Sequence, residues 1–185
     1  VPPTFLEMAG IDSTKVDTGC PDVNGKRGFD GLSFLPILLG KANHLRDYVF
    51  AQHTTIGIVG AKEPYPIRAV RDSRYKLIRN LAPENRYWVY FLHGTITAKS
   101  WEEDAAKDPA LAARWNWMSH RPGEELYDLQ TDPQETNNLA TDSRFAQIKS
   151  RLARELDAWM KQQGDKGMET ELAARSRQGS GKASA

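Results

Sequence analysis

The last third of the chain carries an apolar stripe that limits the folds open to it. After Arg144, the residues Phe145, Ile148, Leu152, Leu156, Trp159 and Met160 recur at helical spacing. Asp142 or Ser143 stands where an N-cap belongs, and Gly164 stands where such a helix stops. Arg151, Arg154 and Lys161 interleave with acids and form the wet face. A helix this one-sided has to lie on something. Its partner is a sheet built from Ile67–Arg71 and Tyr75–Arg79, joined by a tight turn near Asp72-Ser73. Alternation puts Tyr75 and Leu77 on one face of the second strand and Lys76 and Ile78 on the other. Tyr48–His53 and Glu124–Leu129 read as further strands, and Tyr87–Leu92 as an extension of the sheet. The expected class is α+β: a small antiparallel sheet with a long C-terminal helix packed on one face.

Composition narrows the partners. Lys+Arg 25 nearly balances Asp+Glu 24, so no global field calls for nucleic acid or a membrane surface. No apolar run approaches the thickness of a bilayer. The single Cys20 excludes an internal disulfide framework and leaves the compartment open.

The remaining segments are punctuated by turns and caps. Pro3 suits a first helical turn, Phe5, Leu6, Met8 and Ala9 supply apolar surface, and Gly10 is a C-terminal stop. A short helix this apolar expects a cover, either its own domain or a larger neighbour. The second is the expectation here, and if uncovered the helix offers a surface for self-association. Residues 11–30 read as a polar loop closed by Asp30-Gly31, after which Ser33 caps a short helix, Phe34–Leu39, ended by Gly40. Residues 54–64 read as a loop. Residues 94–123 behave as an insertion: Ser100 with Glu103 fits a capping box, and Asp108-Pro109 restarts a helix that carries Trp115 and Trp117. From Asp165 to Ala185 the chain is rich in Gly, Ser and Lys with hardly any apolar periodicity, and it reads as a flexible tail.

Four blocks carry a family resemblance. Asp30-Gly31-Leu32-Ser33 with Leu35-Pro36 and Leu38 resembles a DGxS-x-LPxL block of sulfatases. Arg68-Ala69-Val70-Arg71 followed by Arg74-Tyr75-Lys76-Leu77-Ile78 resembles their hairpin. Leu126-Tyr127-Asp128-Leu129 with Asp132-Pro133, Glu135, Asn138 and Leu139 resembles their LYDL-DP-E-NL block. The opening Pro3-Thr4, Leu6 and Ala9-Gly10 resembles the helix that leads out of their catalytic domain. Within the family the sulfamidase branch is the nearest in Tyr65-Pro66-Ile67-Arg68, the His53 segment, and Asn138 to Gln147.

This resemblance implies the C-terminal subdomain of an alkaline-phosphatase-like sulfatase. Residues 1–10 would be a remnant of the catalytic-domain exit helix, 11–47 a linker with a short helix, 48–164 the subdomain, and 165–185 a tail. It also implies a parent that cleaves sulfate esters or N-sulfate groups of glycosaminoglycan sugars, exported or lysosomal. A formylglycine nucleophile and calcium would lie in an N-terminal catalytic domain that is this chain's first partner, with the sulfated glycan as its second. The residues here depart from that catalytic pattern. Cys20, in Gly19-Cys20-Pro21-Asp22-Val23, lacks the Pro two places on and the Arg four places on that the precursor nucleophile needs. Asp128, Asp132, Glu135, Asn137 and Asn138 lack the spacing of a calcium loop and suit turns and caps. No catalytic residue and no metal ligand is expected in these residues. The chain by itself should be inactive and should shape the substrate cleft. A non-catalytic glycan-binding or interaction module is the rival reading. A related phosphoesterase is a third, which the LYDL-DP-E-NL block opposes.

Two residues are candidates for substrate binding. His53 ends a strand and opens a loop, and the resemblance implies that this segment faces the cleft. Its imidazole can hydrogen-bond a sugar hydroxyl or a sulfamate oxygen, whereas an ordinary strand-end histidine is the plainer account. Arg68 shares a strand face with Val70, so its fork reaches either a sulfate or, in the plainer account, a structural carboxylate. Arg71, Arg74, Lys76 and Arg79 add charge that attracts a polyanion or else rims the sheet. Trp115, Trp117 and His120 form a wall of a sugar cleft or pack in the core. His44 and His93 lack metal-ligand spacing.

Overall fold

A computed structural model describes residues 1–22, 24–56 and 63–177. The chain divides into two compact units, Val1–Val49 and Phe50–Ala185. Val23, residues 57–62 of the expected loop, and residues 178–185 of the expected tail lie outside the described residues.

In the first unit, helix α1 (Pro2–Met8) begins with prolines in its first turn and ends before Gly10 at φ 75°, as the sequence implies. Its buried side is Pro3 and Thr4, and Thr4 Oγ1 accepts a hydrogen bond from Phe34 N at 3.2 Å. Phe5 and Met8 are exposed, at 65% and 61%. The Ser33 hydroxyl accepts from Leu35 N at the start of α2 (Leu35–Leu38), and Gly40 at φ 66° terminates the turn. Cys20 is an exposed loop thiol.

The second unit is built on a four-stranded sheet in the order β1 (Val49–His53), β2 (Ile67–Arg71), β3 (Tyr75–Asn80) and β4 (Glu124–Asp128). β3 pairs antiparallel with both neighbours. Asp72 makes the hairpin turn by accepting from Arg74 N and Tyr75 N. The register aligns Val70, Leu77 and Leu126 across three strands, and all three are buried. On this face lies α6 (Ala146–Gln162), which places Leu152 and Leu156, fully buried, over β2 and β3. Phe50 stacks on Trp159 at 5.1 Å, and Arg79 pairs with Asp157 at 2.5 Å. Asp142 caps the 3-10 turn Ser143–Phe145 that leads into the helix. The α+β architecture expected from the apolar stripe is the one observed.

From Tyr90 to Ser119 the chain is mainly helical, which corrects two expectations. Tyr87–Leu92 does not extend the sheet; the chain there leads into a helical turn, α3 (Tyr90–His93). Tyr87 N donates instead to Ser119 O in the helical layer. Helix α4 (Ile96–Ala105) starts five residues earlier than a Ser100 cap allows. Thr95 is the cap and accepts from Ala98 N. Helix α5 (Pro109–Ser119) starts as expected, with Asp108 accepting from Ala110 N.

The segment after Gly164 also differs from its expected character. A short helix, α7 (Met168–Leu172), stands where no apolar stripe predicts one. It is anchored by charge: Asp165 pairs with Arg68, and Glu171, 1% exposed, accepts from residues of the loop after β1.

Candidate functional site

The end of β1 is fixed from three sides. The Arg68 guanidinium donates to the His53 carbonyl at 3.0 Å and to both carboxylate oxygens of Asp165. Burial opposes the Asp165 charge, yet the Arg68 hydrogen bond and the Gly167 amide hold its carboxyl below the usual range. Beyond His53, the Glu171 carboxylate accepts from Thr55 N at 2.8 Å, Ile56 N at 2.9 Å, and the hydroxyls of Thr54 and Thr55. These bonds likewise keep Glu171 ionised against its burial. Thr55 Oγ1 in turn accepts from Tyr65 N at 2.6 Å.

The His53 side chain itself is half-buried, and its ring meets Tyr87 edge to face at 5.8 Å. Among the described residues its buried Nε2 has no hydrogen-bond partner. Burial pushes the His53 imidazole below its ordinary value, so the neutral ring prevails at pH 7. Of the two candidates, His53 is the one whose ring has a polar atom unpaired among the described residues. Arg68 directs its donors to Asp165 and to the carbonyls of His53 and Ile67. Its side chain is 1% exposed, which is the structural ion pair weighed against sulfate binding.

An aromatic layer continues from His53 into the insertion. Tyr87 touches Tyr65 at 5.2 Å and His93 at 6.3 Å. His93 touches Trp115 at 5.3 Å, and Trp115 meets Trp101 edge to face at 6.1 Å. Because Val89 N donates to His93 Nδ1, the Nε2 of that ring carries the proton and donates to Ser119 Oγ at 3.1 Å. Burial lowers the His93 pKa, consistent with this neutral tautomer. A cleft of about 590 Å³ opens between α4 and α5, lined among others by Tyr87, Trp101, Trp115, Trp117, Arg114 and Arg121. Arg121 lies 4.1 Å over the Trp117 ring and grips Glu125, which also receives Asn80 Nδ2 and the Tyr127 hydroxyl. Burial and the Glu125 charge raise the Tyr127 pKa.

The sequence candidates thus separate. His53 and Arg68 meet at β1. Trp115 and Trp117 line the cleft, whereas His120 is exposed and turns its Nδ1 to Asn116 O. His44 pairs with Asp47 in the first unit. The basic rim is largely neutralised: Arg74 with Asp128, Lys76 with Glu135, and Arg79 with Asp157. Tyr87, Arg114, Arg121 and Glu171 were not singled out from the sequence. Only Arg121 carried a local sign, as a cation four residues before Glu125.

The acidic block of residues 128–138 is a folding device. Asp132 accepts from Thr136 N and Asn137 N, and Asn138 Oδ1 accepts from Leu126 N and Ala140 N. Glu135 sits at φ 55° and meets Lys76 at 2.8 Å. Among the described residues no group of three or more His, Cys, Asp or Glu is placed to hold a metal ion.

This sheet with its covering helix occurs in sulfatases. No protein-family model matches the chain. It is 36% identical over 165 residues to an ulvan-active sulfatase of Formosa agariphila, covering 88% of this chain and 28% of that protein. It is 31% identical over 98 residues to the human N-sulphoglucosamine sulphohydrolase, covering 51% of this chain and 20% of that enzyme. A sulfatase-like protein of Bacteroides thetaiotaomicron shares the fold with a TM-score of 0.50 at 24% identity, covering 88% of this chain and 24% of that one. The chain is a homologue of the C-terminal part of sulfatases and spans roughly a quarter of the length of these relatives.

Proposed function

We propose that this chain is the C-terminal part of a sulfatase that hydrolyses sulfate esters or N-sulfate groups on glycan sugars, and that it shapes the substrate cleft. The observation that carries this reading is the 36% identity sustained over 88% of the chain. The formylglycine and calcium of the family do not fit the residues present. Cys20 lacks the required neighbours, and the Asp and Asn side chains of residues 128–138 are spent on backbone amides and cations. The nucleophile and the cation therefore belong to polypeptide outside these 185 residues, and no chemical step is assigned to this chain. Glycosaminoglycan, and its N-sulfated sugars in particular, is the favoured substrate class, supported by the shorter match to the human sulphohydrolase.

In this reading the half-buried His53 ring lies against the substrate, its Nε2 having no partner among the described residues. Arg68 acts through the His53 carbonyl and positions the residue. The test is expression of the chain together with the sequence encoded upstream of Val1. Sulfate release that depends on a C-x-P-x-R cysteine supports the proposal. An upstream sequence without such a motif, or sulfate release by the 185-residue chain alone, overturns it.

A further inference from the structure

The cleft between α4 and α5 has a chemistry that the β1 site does not explain. Three tryptophans and a tyrosine line it, yet Trp101 is 48% exposed and Leu111 47%. A tryptophan recruited only for packing would lose more of its surface. The volume, about 590 Å³, lies in the range of small-ligand clefts, roughly 300–1,000 Å³.

Its charges decide what fits. Arg121 is committed to Glu125 and to the Trp117 face. Arg114 stands 5.8 Å from the same ring and, among the described residues, has no carboxylate partner. Asp104 also lines the cleft and, among the described residues, pairs only with an exposed Lys107 at 3.7 Å. The cleft thus offers aromatic surface, one uncommitted cation and one weakly paired acceptor. An apolar helix docking there would bury Arg114 and Asp104 unpaired, a heavy desolvation penalty. A sugar ring satisfies all three: its C–H face lies on an indole, its hydroxyls donate to Asp104, and an acidic substituent meets the Arg114 fork.

We propose that this cleft is a second glycan subsite, taking a sugar ring that bears a sulfate or carboxylate, with Trp101 as stacking surface and Arg114 as anion-reading residue. The proposal rests on the glycan-substrate reading above. Tyr87 connects the two places, since it lines the cleft and touches His53 at 5.8 Å. A bound oligosaccharide would set one unit against His53 and a neighbouring unit in the cleft.

The experiment titrates the 185-residue chain with a heparin-derived hexasaccharide and with neutral chitohexaose, following tryptophan fluorescence and binding heat. Saturable binding of the anionic probe is expected, with chitohexaose at least about tenfold weaker. Arg114→Gln and Trp101→Ala, both at exposed positions, should each weaken the anionic probe about tenfold with the circular dichroism unchanged. Equal binding of both probes, no binding, or indifference to both variants overturns the subsite. So does a cleft closed by a second copy, seen as dimerisation that Trp101→Ala abolishes. In the longer polypeptide, sulfate release with a KM unmoved by Arg114→Gln sinks the subsite alone. Glycan binding without any sulfate release sinks the sulfatase reading and leaves the subsite standing.

Discussion

Arg68 in β2 grips both oxygens of Asp165, 97 residues further along the chain, and neither side chain is more than 4% exposed. The same guanidinium holds the His53 carbonyl. One buried cation therefore ties together two strands and the segment that follows α6.

Removing the counter-charge should be severe. Asp165→Asn leaves a buried guanidinium without its carboxylate, and about 3–5 kcal/mol of unfolding free energy should be lost. Replacing both partners by apolar residues, Arg68→Met with Asp165→Leu, should recover most of it, because the isolated charge is then gone. Urea denaturation checks both. A loss below about 1 kcal/mol in Asp165→Asn contradicts the pairing.

The pH dependence has a definite sign. Asp165 and Glu171 have folded pKa values depressed below ordinary values of 3.8 and 4.5. Their contribution is complete above those values and is lost as pH falls through the lower folded pKa. His53 and His93 are depressed from 6.5 by burial, so protons favour the unfolded state as pH drops below that point. Both effects act in one direction. Stability should be flat near pH 7–8, decline below about pH 6.5, and fall further below about pH 4.5. The imidazole Hε1 resonances of His53 and His93 should titrate with midpoints under 6.5. A midpoint at or above that value refutes the burial argument.

Core substitution tests the helix-on-sheet arrangement. Leu152 and Leu156 are fully buried. Leu156→Ala should cost about 2–5 kcal/mol, whereas Arg154→Ala on the exposed face should change stability by less than about 0.5 kcal/mol. Thermal unfolding distinguishes the two.

How much of this was legible follows from how local each signal is. The Phe145–Met160 stripe, the Ile67–Asn80 hairpin and the Asp108-Pro109 start depend on residues a few places apart, and they appear where periodicity puts them. Tyr87–Leu92 has strand composition, but Tyr87 N bonds Ser119 O in the helical layer and the chain turns into α3, so tertiary structure overrides propensity. α7 is invisible to periodicity because a buried carboxylate anchors it, and Glu171 is bonded to residues more than a hundred places away. At the candidate site the residue types were readable and their partners were not. A structural carboxylate is the plainer partner for Arg68 from the sequence, but nothing local names Asp165, 97 residues away, as that carboxylate.

The acidic block supplies a prediction about metal. Asn138 holds Leu126 N, Ala140 N and the Glu124 carbonyl. Asn138→Ala should cost about 1–3 kcal/mol through the orphaned backbone groups. Millimolar calcium should leave the Tm of the 185-residue chain unchanged, since Asp132 and Glu135 are already committed. A calcium-dependent rise in Tm would reassign the block as a ligand set.

His53 gives the most direct test of the β1 site. Among the described residues its Nε2 has no hydrogen-bond partner, so His53→Ala, which loses the Tyr87 edge contact, should leave stability within about 1 kcal/mol of the parent chain. In a polypeptide that includes the upstream sequence, the same change should raise KM for a sulfated oligosaccharide about tenfold while kcat moves less. That is the pattern of a group binding ground and transition states alike. His53→Gln, which restores a donor and an acceptor, should recover part of the KM. If KM stays unchanged in His53→Ala, His53 is an ordinary strand-end residue, and the substrate contacts of this chain lie elsewhere.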